Sequence, residues 1–127
     1  MASRPVYVID DDPGVLKSTE FLLHSLGFEC ACFPTARAFL AAVESLAPGC
    51  ILTDLRMPDI NGIELLRALA MRSISWPAIL MTSENGPGAA DRAAKAGFCA
   101  YLRKPFTADE LTATLDRCLT IFDGKGS

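Results

Sequence analysis

The feature that most constrains the fold is a fivefold alternation of short apolar runs with longer amphipathic segments. The short runs are residues 6–9, 28–33, 50–53, 78–82 and 99–102. The first, third and fourth are almost entirely apolar, which is typical of strands covered on both faces. Glu29 interrupts the second run, which is therefore predicted to lie nearer an edge. Strictly alternating strands and helices predict an α/β protein with a five-stranded parallel sheet, order 2-1-3-4-5, and five helices distributed over both faces.

The segments between the strands carry helix signals. Asp12 and Thr35 are predicted N-caps of the first two helices, and Gly27 is a predicted left-handed stop. The second helix is expected to end at Pro48-Gly49, and the third to begin near Gly62. The fourth follows Gly86-Pro87-Gly88, has a thin apolar stripe and is predicted to be the most mobile. The last begins with a capping box from Thr107 to Glu110. Its apolar residues are Leu111, Leu115, Cys118 and Phe122.

The length of 127 residues predicts a single domain, with a core of about residues 5–122 and a short flexible tail over residues 124–127. The formal net charge is −3, which argues against direct contact with nucleic acid or a membrane surface. The N-terminal segment contains no apolar stretch long enough for a secretory signal or a membrane span, so we expect a cytoplasmic location.

Five cysteines and one histidine are present, without a C-x-x-C pair. This spacing is typical neither of a metal site nor of a secreted disulfide framework. Each cysteine lies among mainly apolar neighbours, which predicts reduced thiols in the core.

Polar residues follow four of the predicted strands. They are Asp10, Asp11 and Asp12 after the first, Asp54 after the third, Thr82 at the end of the fourth and Lys104 after the fifth. Because the carboxyl ends of parallel strands meet at one edge of a sheet, we expect these residues to converge. Clustered carboxylates repel one another, and a divalent cation bound by oxygen ligands, Mg²⁺, relieves the repulsion.

This arrangement favours phosphoryl transfer. Asp54 is the candidate nucleophile, able to form an aspartyl-phosphate. Asp11, Asp54 and a backbone carbonyl are expected to hold the metal, with Asp10 in support. Lys104 and Thr82 are expected to contact the phosphoryl oxygens. Each residue alone has an ordinary explanation as a helix cap, a turn residue, a strand end or a solvated lysine. Their joint placement after separate strands favours a role in phosphoryl transfer over these ordinary explanations.

Four segments closely resemble the signatures of response-regulator receivers, and most of all the FixJ group. They are V-I-D-D-D-P, T-D-L-R-M-P-D-I-N-G-I-E-L-L, M-T-S and Y-L-R-K-P-F, within a resemblance that spans about residues 6–122. It implies the flavodoxin-like receiver fold, with Asp54 accepting a phosphoryl group from a histidine kinase. It also implies that the Arg56 carbonyl completes a site for Mg²⁺, with Mn²⁺ as an alternative, and that the Lys104-Pro105 peptide is cis.

The same resemblance assigns Thr82 and Tyr101 as a switch pair. Its implied output surface is the fourth helix, fifth strand and fifth helix, through which phosphorylated chains would form a homodimer. Residues 83–88 lack the Gly-x-Gly-Asp pattern typical of the FixJ group, which affects partner choice. Arg56 and Glu84 carry opposite charges, and we hypothesise that they pair across the mouth of the site and shield the acyl phosphate.

Two other functions compete with the switch. Haloacid-dehalogenase-type phosphatases also combine Asp, Thr, Lys and Mg²⁺, but their nucleophile lies in a D-x-D motif after the first strand, which Asp10-Asp11-Asp12 matches only superficially. A binding module that does not use phosphate is the second alternative, and the complete acidic, threonine and lysine set argues against it. The resemblance is compatible either with a DNA-binding output domain after residue 127 or with a receiver that stands alone.

Overall fold

The computed structural model describes residues 4–83 and 88–125, with side chains of the last helix described up to residue 120. Its sheet contains five parallel strands in the order β2-β1-β3-β4-β5, which confirms the predicted topology. The strands are β1 Val6–Ile9, β2 Cys30–Phe33, β3 Cys50–Asp54, β4 Ala78–Thr82 and β5 Ala100–Arg103. The interrupted second run does form an edge strand.

The second and fifth strands begin later than the sequence predicts. β2 begins at Cys30 because the backbone N–H of Phe28 donates to the Leu23 carbonyl and closes the end of the preceding helix. β5 is displaced by one residue, to Ala100–Arg103. β3 extends one residue further than predicted and includes Asp54 itself.

The five predicted helices are present. They are α1 Pro13–Ser25, α2 Ala36–Ala42, α3 Gly62–Met71, α4 Ala89–Ala96 and α5 Ala108–Lys125. α2 is shorter than expected, because a 3₁₀ turn over Val43–Ser45 replaces its last part well before Pro48-Gly49. α5 continues through Gly124 and Lys125, which the sequence assigned to the tail. A single glycine costs a helix only about 1 kcal/mol, which is too little to end it reliably. Gly126 and Ser127 lie outside the described residues.

The predicted helix caps are observed. The Asp12 carboxylate accepts from the N–H groups of Gly14 and Val15, and the Thr35 hydroxyl accepts from the Ala38 N–H. Thr107 and Glu110 form the reciprocal bonds of a capping box. Gly27 adopts a φ of 90°, in the left-handed region.

α4 has the thin apolar face that its sequence suggests. Its buried residues are only Ala89 and Ala93, and its N-cap, Gly88, makes no side-chain cap hydrogen bond. The preceding residues Glu84, Asn85, Gly86 and Pro87, and the side chain of Phe122, lie outside the part of the chain that the structure describes.

The sheet separates two apolar layers. On one face Ile9, Ile51 and Leu80 pack against residues of α2, α3 and α4. On the other face Val8, Leu52 and Met81 pack against α1 and α5. The strands are therefore held from both sides, and their carboxyl ends emerge together at one edge.

All five thiols are free. Cys50 and Cys118 are buried as predicted, whereas Cys30, Cys32 and Cys99 are partly exposed at the margins of the core. None of the helices over the described residues has both the length and the apolar character needed to cross a bilayer.

Candidate functional site: an acidic cluster at the carboxyl ends of the strands

Three carboxylates meet where β1 and β3 end. Ile9 pairs with Thr53 in the parallel register, which places the next residues, Asp10 and Asp54, side by side. Oxygen atoms of Asp10, Asp11 and Asp54 all lie within 4.8 Å of one another. Asp10 is fully buried, Asp54 is partly buried and Asp11 is exposed. The cluster is therefore open to solvent on the side of Asp11.

Lys104 brings a positive charge into this cluster. Its Nζ lies 2.7 Å from Asp10 Oδ2 and 3.5 Å from Asp54 Oδ1. The backbone of Lys104 is anchored as well, since its N–H donates to the Thr82 carbonyl at 2.8 Å. The peptide bond between Lys104 and Pro105 is cis. The two ammonium contacts show that the Lys104 side chain is directed at Asp10 and Asp54.

Hydrogen bonds fix the orientation of both buried carboxylates. The Asp12 N–H donates to Asp10 Oδ1 at 2.9 Å, and the Leu55 N–H donates to Asp54 Oδ1 at the same distance. The other oxygen of Asp10, Oδ2, accepts a hydrogen bond from the Lys104 ammonium. Asp10 is therefore held through both of its oxygens, whereas the Leu55 N–H and the Lys104 ammonium both approach the same oxygen of Asp54, Oδ1.

The electrostatic balance at Asp54 disfavours its negative charge. Burial is the largest cause that raises the pKa of this carboxyl, and the neighbouring Asp10 raises it further. Lys104 and the Leu55 N–H act in the opposite direction without cancelling the rise. Three carboxylates face one lysine in this cluster, so a further cation would stabilise it.

Thr82 and Tyr101 occupy neighbouring strands. Thr82 ends β4 and is buried, and it pairs with Arg103, while Leu80 pairs with Tyr101. Because alternate residues of a strand share a face, the side chains of Thr82 and Tyr101 lie on the same face of the sheet. Tyr101 is half-buried against the layer formed by α2, α3 and α4. The pairing of β3 with β4 and of β4 with β5 therefore connects the acidic cluster to the strand that carries Tyr101.

Arg56 follows β3 by two residues and its side chain is exposed. Glu84, its hypothesised partner, lies outside the described residues, so the pairing stays a prediction.

Gly62 is a site residue that the sequence reasoning missed. A Cβ at this position would lie 2.6 Å from the carbonyl oxygen of Asp54 and 3.2 Å from Leu80 Cδ1. The Gly62 N–H also donates to the Leu55 carbonyl at 2.9 Å. The reciprocal capping box of Asn61 and Glu64 places the start of α3 directly against the end of β3. A glycine beside the N-cap of the helix that follows β3 was the available signal.

The comparisons with known proteins agree with this geometry. Residues 6–116 match the family described as response regulator receiver domain. The chain belongs to the response regulator receiver domain family. This receiver domain is 45% identical over 104 residues to the transcriptional regulatory protein FixJ of Azorhizobium caulinodans, covering 82% of the chain and 49% of that protein. It is 40% identical over 114 residues to the FixJ protein of Bradyrhizobium diazoefficiens, covering 90% of the chain and 56% of that protein.

A solved structure supports the same relationship. The receiver domain matches the crystal structure of FixJ-N with a TM-score of 0.86 and 36% identity, over 93% of this chain and 94% of that one. The resemblance to the FixJ group is thus confirmed. The chain spans about half the length of the two FixJ relatives.

Membership of this family has functional consequences. Receiver domains are signalling components of two-component systems rather than classical enzymes. In these systems, response regulators are partnered by histidine kinases. The family match favours this class over the haloacid-dehalogenase-type alternative. The three carboxylates form a group that could hold a metal ion.

Proposed function

We propose that this receiver domain accepts a phosphoryl group from a histidine kinase on Asp54. The observation that carries the proposal is the position of the Lys104 ammonium, 2.7 Å from Asp10 and 3.5 Å from Asp54. Phosphoryl transfer depends mainly on positioning and on fixed charges that offset those of the phosphoryl oxygens. A lysine tied to both carboxylates, and anchored through its own backbone, supplies such a charge at the nucleophile.

The donor atoms of the cluster fit Mg²⁺. The carboxylates of Asp10, Asp11 and Asp54, offset by Lys104, favour a divalent cation, and Mg²⁺ prefers oxygen ligands and retains waters. Asp11, Asp54 and the Arg56 carbonyl would hold the ion, with Asp10 in support and Mn²⁺ as an alternative. When bound, the ion neutralises charge on the phosphoryl oxygens.

The phosphoryl transfer itself requires only a few protein groups. An Asp54 carboxylate oxygen forms a bond to phosphorus as the bond from phosphorus to the donor's imidazole nitrogen breaks, and that nitrogen keeps the electron pair. Lys104 then faces the new phosphoryl oxygens. The hydroxyl of Thr82, at the end of the neighbouring strand, donates a hydrogen bond to them.

We propose that phosphorylation of Asp54 changes the conformation of β5 and the surface around it. A phosphoryl group adds roughly two negative charges and new acceptor oxygens. Thr82 moves toward the phosphoryl oxygens and leaves space on the face of the sheet that it shares with Tyr101. The Tyr101 ring turns into this space. The affected surface consists of α4, β5 and α5, through which phosphorylated chains would form a homodimer. Because the FixJ relatives are transcriptional regulators and the chain spans about half their length, we propose a transcriptional output. We also propose a cytoplasmic location.

A labelling experiment tests the phosphoacceptor. Incubation with acetyl phosphate and Mg²⁺ should produce one acid-stable, base-labile phosphoryl group per chain, detected by phosphate-affinity electrophoresis. Asp54→Asn should abolish the shifted band. Asp59→Asn, which alters an exposed carboxylate five residues away that pairs with Arg37, should leave it unchanged. A band that persists in Asp54→Asn, or none in the intact protein, overturns the proposal.

A further inference from the structure

A second cluster of potential metal ligands lies at the amino-terminal edge of the sheet. It contains Glu20 and His24 of α1 and Cys30, the first residue of β2. Their ligand atoms all lie within 4.8 Å of one another. The strands are parallel and the acidic cluster lies at their carboxyl ends, so this group lies at the opposite edge of the sheet. It is therefore separate from the acidic cluster of Asp10, Asp11 and Asp54.

Local structure explains why these three residues meet. Glu20 and His24 are four residues apart on α1 and therefore project from the same face of the helix. Gly27, in the left-handed conformation, reverses the chain after α1 and returns it as β2. Cys30 then faces α1, and its thiol also donates to the backbone carbonyl of Glu20 at 3.9 Å. The three side chains are brought together by the tight connection between α1 and β2.

We propose that Glu20, His24 and Cys30 form a binding site for Zn²⁺. The decisive distance is 3.5 Å between Cys30 Sγ and His24 Nε2. Typical zinc–sulfur and zinc–nitrogen bond lengths and a tetrahedral angle place two such ligand atoms about 3.6 Å apart. The pair is thus already separated as in a zinc site, and the Glu20 carboxylate lies within reach of both.

The donor set selects the kind of metal. An imidazole nitrogen, a thiolate sulfur and a carboxylate oxygen are ligands typical of Zn²⁺, whereas Mg²⁺ takes oxygen ligands. Three protein ligands leave a fourth position of the tetrahedron for water or a further donor. The Cys32 thiol lies two residues further along the same face of β2 and donates to the Leu16 carbonyl at 3.8 Å.

Charge and access also favour a cation here. The Glu20 carboxylate lies beside the Cys30 thiol, so a cation bound there would contact a negatively charged side chain and a thiol that ionises on metal binding. His24 is exposed, and together with Cys30 it lines a surface cleft that also includes Gly27 and Phe28. An ion therefore has a path from solvent to the ligands. Binding replaces the thiol proton, which is released.

The spectroscopic test uses Co²⁺ as the probe, because sulfur ligation produces a thiolate-to-cobalt charge-transfer band. Excess Mg²⁺ is present to compete at the carboxylates of the acidic cluster, which contains no sulfur. The intact protein should develop the band with one Co²⁺ per chain, and Zn²⁺ should bleach it. Cys30→Ser should abolish the band, and His24→Ala should weaken Co²⁺ binding at least tenfold.

Matched controls separate this site from unspecific thiol binding. Cys99→Ser removes a partly exposed thiol elsewhere, and Glu29→Gln removes a carboxylate adjacent in sequence to Cys30 but outside the cluster. Both should bind Co²⁺ as the intact protein does, and circular dichroism should show all variants folded. Absence of the band in the intact protein, or its persistence in Cys30→Ser, overturns the proposal.

Discussion

Lys104 is the residue on which the acidic cluster depends for its charge balance. Its ammonium contacts Asp10, whose side chain is 1% exposed, and approaches Asp54. Removing one partner of a buried ion pair leaves the other charge without compensation, which is more costly than the pair itself is stabilising.

Lys104→Met is therefore expected to lower the free energy of unfolding by about 3 kcal/mol in EDTA. Added Mg²⁺ should restore much of this loss, because a bound cation replaces the missing positive charge. Urea unfolding with and without Mg²⁺ measures both effects. Lys95→Met, at an exposed pair with Asp91, should change stability by less than about 0.5 kcal/mol. Equal stability of the two variants in EDTA would contradict this account.

Asp54 makes a pH-dependent contribution in metal-free buffer. Burial, and secondarily Asp10, raise its pKa in the folded protein. A carboxyl with a raised folded-state pKa favours folding when protonated, and this contribution is lost as pH rises through the folded pKa. Asp54→Asn should therefore be more stable than the intact protein at neutral pH in EDTA. The difference should shrink as pH falls below the folded pKa. Thermal unfolding across this range measures it, and a difference independent of pH would be the contrary outcome.

At the scale of elements, the contact between α3 and β3 sets the position of Asp54, the proposed phosphoacceptor. Gly62 allows the first turn of α3 to approach the Asp54 carbonyl, and the capping box of Asn61 and Glu64 holds that turn in place. The helix thus supports the strand end from which Asp54 projects.

Gly62→Ala should displace either the helix or the backbone of Asp54, because the added Cβ would lie 2.6 Å from that carbonyl oxygen. We expect a loss of about 1–3 kcal/mol in stability, typical of overpacking, and slower labelling by acetyl phosphate. Gly88→Ala is the matched control, since its added Cβ would have no atom of the described residues within 4 Å apart from its own chain neighbours and helix backbone. Labelling rates and urea midpoints distinguish the two. Unchanged labelling of Gly62→Ala would show that the approach of α3 does not position Asp54.

Sequence patterns predicted the strands, the helix caps and the acidic cluster. The buried strands were predictable because Val6, Val8 and Leu52 belong to runs covered on both faces, and the caps because Asp12 and Thr107 bond locally. The acidic cluster followed from topology, since Asp10 and Asp54 end neighbouring strands.

Features that depend on the packing between elements were not predictable in the same way. The start of β2 depends on the Phe28 N–H bond that closes α1, and the role of Gly62 depends on how closely α3 approaches β3. The five residues between His24 and Cys30 match no familiar metal-binding spacing. Only the turn at Gly27 brings the imidazole and the thiol together.

For the whole molecule, stability depends on the two apolar layers that enclose the sheet. Leu115 of α5 is fully buried in the layer that also includes α1, whereas Phe21 of α1 is 76% exposed. Side-chain size alone therefore does not indicate which residue contributes more to the folded state.

Leu115→Ala should lower the free energy of unfolding by about 2–5 kcal/mol, because it removes buried methyl groups and leaves a cavity. Phe21→Ala should change it by less than about 0.5 kcal/mol, since the larger ring stays mostly in solvent. Chemical denaturation of both variants provides the comparison. A larger loss for Phe21→Ala would mean that an unrecognised contact covers this ring.

The bond between Asp10 and Lys104 joins positions 94 residues apart in the chain. Protein synthesis proceeds from the amino terminus, and contacts between distant segments form only after the intervening chain is available. A nascent chain on the ribosome presents its acidic residues long before the lysine emerges. Under the proposed function, phosphorylation of Asp54 therefore requires a chain that is complete through Lys104, and a translation product that ends before β5 should not be labelled by a phosphodonor.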